Sequence, residues 1–310
     1  MHFYRDILKR AWQLTFRNPF LWFFGLFAAL AGNGEEYDSF FNNIKFVGNT
    51  QLNLDELIAA RADGRWTEFW DNIGAAFGDN IGSIMLIVLA GLVALFLFAC
   101  IVTISQASLI RVASQAEDGK PISFLDSFTT GMRCFWKLLG LNITMLLSIY
   151  LPLVVIGLPV LFIYLANPSV AWAMVLGLLI FFLLIPVGIV VAFLTKYAAA
   201  FIVIKKAGVY QSVRLAWKLF LRNWLITIEL GLLLLIINVI YTIVAVSVLT
   251  MLGMPLTQTG VVTFTIIMIV LGSIFTVFRY TAWTFLFRQI LDDKGIAKLE
   301  RIFKPKAKKG

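Results

Sequence analysis

The chain has 310 residues, 60% of them hydrophobic, with a mean hydropathy of +0.89. That much apolar surface cannot be hidden inside one aqueous domain of this size, which excludes an ordinary soluble globular fold and points to a polytopic membrane protein. The net charge of +9 would suit nucleic acid, but the basic residues cluster beside the apolar runs, as membrane loops do, so no nucleic-acid partner is expected.

In chain order, a basic amphipathic stretch carrying Lys9, Trp12, Gln13, Leu14 and Asn18 leads into an apolar run at 19–31. Asn18 followed by Pro19 has the form of an N-cap and first helical residue, in which the Asn oxygen accepts a free N–H and proline loses nothing. The run has 13 residues, short of the roughly 20 that span a bilayer. An acidic segment at 32–80 follows, with nine acids against Lys45, Arg61 and Arg65. Within it, residues 54–77 have the pattern of an amphipathic helix, with Trp66, Phe69 and Trp70 placed to rest on a leaflet. A surface helix is the plainer reading there, ahead of a docking site for a protein partner.

Five longer runs, at 81–104, 138–163, 170–194, 224–249 and 261–281, each have the length of a spanning helix. The basic linkers before the third and fifth crossings carry Arg133, Trp136, Lys137, Leu138 and Asn142, and Arg214, Trp217, Lys218, Leu219 and Asn223, at the same offsets as the first set. Each set reads as a helix lying in the headgroup plane, where Trp ring and basic stripe both suit the depth. Lys9, Trp12, Arg133, Trp136, Lys137, Arg214, Trp217 and Lys218 are the expected lipid-interface residues, and Asn18, Asn142 and Asn223 the expected caps of the helices that follow.

Charge decides the topology. Six crossings put the acidic segment and two uncharged turns on one side, and the N-terminus, both basic linkers and the C-terminus on the other, which is the positive-inside pattern. Both termini are thus expected in the cytoplasm of a prokaryotic cell, with the first helix retained in the cytoplasmic membrane.

Counted back from their inner ends, 102–111, 196–205 and 279–288 are three ten-residue segments that each close on a basic residue. The expected fold is therefore an all-α integral membrane protein with six transmembrane helices, built as three repeats of an interfacial amphipathic helix plus a helical hairpin. It forms a single membrane domain over 1–310, with units at about 1–111, 122–205 and 208–288, an external acidic insert at 32–80 and a basic cytoplasmic tail at 289–310.

Lys196, Glu229 and Arg279 are the charges placed inside spans, and such charges are costly enough to mark candidate sites. Glu229 and Arg279 lie at similar depth on the two helices of one hairpin, so an ion pair that locks those helices is expected, ahead of a proton or ion path. Lys196 is expected to snorkel to the headgroups. Pro152, Pro159 and Pro186 fall within the third and fourth runs, where packing is the plainer role. His2 is the sole histidine, which leaves no His-based triad or di-His metal site, and no Walker-type glycine loop is present. Cys100 and Cys134 have neither disulfide nor metal-site spacing. No catalytic residue, metal or cofactor is expected.

Ala11–Trp12 with Arg17–Asn18–Pro19, its echo at Ala216–Trp217 with Arg222–Asn223, and the linker from Gly119 through Lys120, Pro121, Ile122 and Ser123 to Phe124 carry a resemblance. The chain resembles a broad set of uncharacterised prokaryotic multi-pass membrane proteins similar to the membrane domain of glycerophosphodiester phosphodiesterases. In those fusions the hydrolytic chemistry belongs to a separate soluble barrel, whose carboxylate and His set has no counterpart here. The resemblance implies a membrane module only. The function expected is a non-enzymatic, lipid-interacting scaffold or membrane-organising module whose partners are anionic lipids; the alternative is a transporter of a small or lipid-like solute.

Overall fold

The computed structural model describes residues 3–32, 65–166, 171–252 and 258–292. The described elements are helices α1 (Phe3–Arg17), α2 (Leu21–Gly32), α3 (Arg65–Glu117), α4 (Phe124–Ala166), α5 (Ala171–Lys205), α6 (Val209–Arg222), α7 (Trp224–Met251) and α8 (Gln258–Leu291). The chain is thus all-α among the described residues. Five helices, α3, α4, α5, α7 and α8, are long and apolar enough to cross a membrane. Helix α2 has 12 residues, about 18 Å at 1.5 Å per residue, against about 30 Å of hydrocarbon.

The spanning helices overrun their apolar cores. Helix α3 has 53 residues and α5 has 35, or about 80 and 52 Å, so both project well past the hydrocarbon. Nothing in 105–117 breaks α3: no proline interrupts it, and Ala107, Ile110, Val112 and Ala113 are buried. It stops at Gly119, whose φ of +66° belongs to the left-handed region that glycine enters without a Cβ clash. The Lys120 N–H then donates back to the Gln115 carbonyl at 3.0 Å. At its other end α3 is already helical from Arg65, so the later part of the expected surface helix at 54–77 is continuous with the span. The earlier part, like 33–64 generally and the tail from residue 293, lies outside the described residues.

The expected interfacial helix of the second unit is also not separate. Helix α4 runs without interruption from Phe124 to Ala166, through Asn142, Pro152 and Pro159. Ser127, Gly131, Phe135, Leu138, Leu141 and Met145 keep one face buried at helical spacing, so the packing rewards continuation. The first and third units do break. Pro19 lacks an N–H and biases Asn18 away from helical backbone, while Asn223 sits at φ −131°, ψ 31° between α6 and α7.

Helices α3, α5 and α8 touch one another pairwise. Their basic ends supply most of the core, from Val102 to Ala113, Leu194 to Val203 and Phe275 to Ile290. The remaining helices lie outside them. Helix α2 lies against α3 and α8, and α4 against α3 and α5. Helix α7 reaches α5 through a 2.7 Å bond between the Tyr197 and Thr227 hydroxyls, and α8 through stacked Tyr241 and Phe275 rings. Helix α1 packs on α8 and α6 on α5. Away from this core α3 presents apolar side chains all round, Leu89, Leu92, Leu95 and Phe96 among them, as suits a helix solvated by acyl chains.

Candidate functional site

The three central helices converge on a cleft. Ile110 of α3, Lys196 of α5, and Arg279, Tyr280, Trp283 and Thr284 of α8 line it; it is small and partly open to the outside. The room comes from small side chains: Ala199 and Ala200 form the α5 wall. Arg279 and Trp283 are four residues apart on α8 and so share a face. The Lys196 ammonium lies 4.8 Å from the centre of the Trp283 ring, within cation–π range. Arg279 is only 7% exposed, which makes it a buried cation facing the cleft. Lys196 and Arg279 each stand nine residues before the basic residue that closes their segment, Lys205 and Arg288, or about 13 Å along the helix. Two cations and an aromatic face together suit an anionic ligand.

The third charge inside the spans, Glu229, sits on α7, six residues beyond Asn223. Its carboxylate accepts a hydrogen bond from the Tyr4 hydroxyl of α1. Nothing in the sequence pattern singled out Tyr4, because the partners are 225 residues apart. Among the described residues no group of three His, Cys, Asp or Glu side chains comes together as metal ligands.

The expected interface residues fall on the outside of the bundle. Trp12, Trp136 and Trp217 are 54%, 71% and 46% exposed, while the residues just before them, Ala11, Phe135 and Ala216, are buried. Lys9, Arg133, Arg214 and Lys218 are exposed. Lys137, also exposed, donates from its ammonium to the Lys206 carbonyl at 3.3 Å, so it holds the corner after α5, where Lys206 takes a φ of +56°.

The capping expectation needs correction. Asn18 and Asn223 donate their side-chain amides backwards, each at 3.2 Å, to the carbonyls of Leu14 and Leu219. They close the helix they end, and Asn223 makes no side-chain cap to α7. Asn142, inside a continuous helix, donates instead to Gln106 of α3 at 3.1 Å. An orphan carbonyl at the end of α1 or α6 is as needy as an orphan N–H, and the motif Leu four residues back presents it.

At the basic end an ion-pair cluster ties the first, second and last parts of the chain together. Arg10 of α1 contacts both Glu117 carboxylate oxygens at 3.1 Å, and Arg288 of α8 pairs with Asp118, which Lys120 also approaches at 3.5 Å. Arg111 lies 3.6 Å from Asp126. These acids stand just beyond or just inside helix ends, a weak signal in sequence because their partners are distant in the chain.

Comparison with curated proteins and with solved structures finds no match, and nothing links the chain to the membrane domains of glycerophosphodiester phosphodiesterases. A family model does match, over residues 4–290, from the first helix to the end of α8. The chain belongs to the family described as Domain of unknown function (DUF7847).

Proposed function

We propose that this protein is a non-enzymatic, multi-pass membrane module that engages anionic lipid and organises the membrane around it, in the cytoplasmic membrane of a prokaryote. The observation that carries the reading is the paired disposition in the three motifs: each Trp is exposed beside a buried neighbour, with the motif's cations exposed on the same element. Such a surface meets headgroups with charge and the acyl boundary with rings. On this reading the chain crosses six times, α2 included, with both termini cytoplasmic and three units related by repetition. The contact pattern supports that last element: α4 packs on α3, α6 on α5 and α1 on α8, so each unit's leading helix lies on the closing helix of the unit before it, and α1 completes a ring.

Replacing Arg133 and Lys137 together by Gln tests the lipid role. Retention of anionic lipid in native mass spectrometry should fall, by about 1 kcal/mol for each basic residue near the surface, and the difference should shrink with salt. Equal retention by wild type and variant removes the reading. A carrier of a small or lipid-like solute is the second reading, favoured by the placement of Lys196 and Arg279 on one cleft. Loss of a measured flux on Lys196→Gln at unchanged stability would establish it over the first.

A further inference from the structure

We propose that the cleft between α5 and α8 is a binding site for a phosphate group, presented by a lipid whose phosphate headgroup carries a net negative charge; the lipid-engaging reading above supplies the membrane setting on which this rests. Arg279 offers a planar fork of donors matched to phosphate oxygens, and its burial strengthens each such bond by excluding water. Lys196 adds a compact second charge, steadied by the Trp283 ring beneath it. The apolar run of α5 ends at 194, two residues before Lys196, which puts the ammonium at the edge of the hydrocarbon. A headgroup phosphate lies at that depth. Phosphate chemistry is shared by a free anion, which would reach the same cations through the open side of the cleft.

The test is retention of phosphatidic acid by the delipidated full chain in detergent, followed by native mass spectrometry, with phosphatidylcholine as the reference lipid and inorganic phosphate as competitor. Wild type should retain phosphatidic acid over phosphatidylcholine. Lys196→Gln should lower that retention about tenfold or more, the loss of one hydrogen bond between charged groups, and Lys196→Arg should restore most of it. Competition by millimolar inorganic phosphate in wild type, absent in Lys196→Gln, would assign the site to phosphate in either form; no competition, with retention still dependent on Lys196, would assign it to the lipid. The Arg133→Gln/Lys137→Gln variant separates this site from the outer surface. Loss confined to that variant, with Lys196→Gln unchanged and folded, overturns the cleft and leaves the interfacial reading standing; loss confined to Lys196→Gln does the reverse. Equal retention of the two lipids by wild type overturns the cleft whatever the variants do.

Discussion

The Tyr4 hydroxyl of the first helix donates to the Glu229 carboxylate of the seventh, joining residues 225 positions apart in the chain. Tyr4 is thereby the peg by which α1, which otherwise packs on α8, is also held to α7. A hydrogen bond to a charged group contributes about 1.5–3 kcal/mol. Tyr4→Phe keeps the ring and removes the donor, so stability in detergent should fall by an amount in or just below that range. An unchanged denaturation midpoint would mean that the bond does not form in the purified protein.

Close helix approach gives a second expectation. A Cβ at Gly25 would run into the Ser273 carbonyl, and one at Gly131 would come within 2.7 Å of the Ile104 carbonyl, whereas one at Gly91 would meet nothing within 4 Å. Backbone atoms cannot step aside as a flexible side chain can. Gly25→Ala and Gly131→Ala should each cost about 1–3 kcal/mol, the range for overpacking a tight contact. Gly91→Ala should cost nothing and gain slightly in helix propensity. Thermal melts of the three variants in one detergent would check the order; a Gly25→Ala protein as stable as Gly91→Ala would refute the tight α2–α8 contact.

Apolar length made the five long helices legible, since it is a local property of the chain. What was not legible depends on partners far away. Asn18 and Asn142 occupy the same motif position, yet Pro19 breaks the backbone after the first and nothing breaks it after the second, so one closes a helix and the other bonds across to Gln106. Lys196 and Arg279 were visible as charges in apolar runs, but their convergence is a property of how α5 and α8 meet, and Trp283 gained its role only from that meeting. The extension of α3 beyond residue 111 to Glu117 was hidden for a related reason: the stretch is polar, but Ser114 and Gln115 stay buried between helices. A scale based on transfer from water reads such a stretch as a loop.

The proposed sidedness rests on the loop charges. Single cysteines at positions 120 and 206, in a background lacking Cys100 and Cys134, should react with an impermeant thiol reagent only after cells are permeabilised. A cysteine at position 55, in the acidic segment, should react on intact cells. Reaction of position 55 only after permeabilisation would place the acidic and basic segments on one side and eliminate six crossings, leaving the 12-residue α2 as a helix that enters without spanning.

Glu229 and Arg279 should be energetically coupled. Glu229 lies six residues beyond Asn223 on α7 and Arg279 nine residues before Arg288 on α8, which puts them at about 9 and 13 Å along neighbouring helices from the same end. An unpaired charge inside a span is costly, and these two are of opposite sign. Glu229→Gln and Arg279→Gln should each lower stability, because each leaves the other charge without its counterion. The double variant should lose less than the sum, since the second change removes the orphan created by the first. Tyr4 sharpens the design: with Glu229 already neutral, Tyr4→Phe should cost less than in wild type, because the acceptor has lost its charge. Strict additivity of Glu229→Gln and Arg279→Gln would show that the two do not share a site, and Arg279 would then face the cleft with its charge uncompensated by that carboxylate. Coupling together with unchanged phosphatidic acid retention in a charge-swapped, folded variant would instead make the pair a lock between α7 and α8.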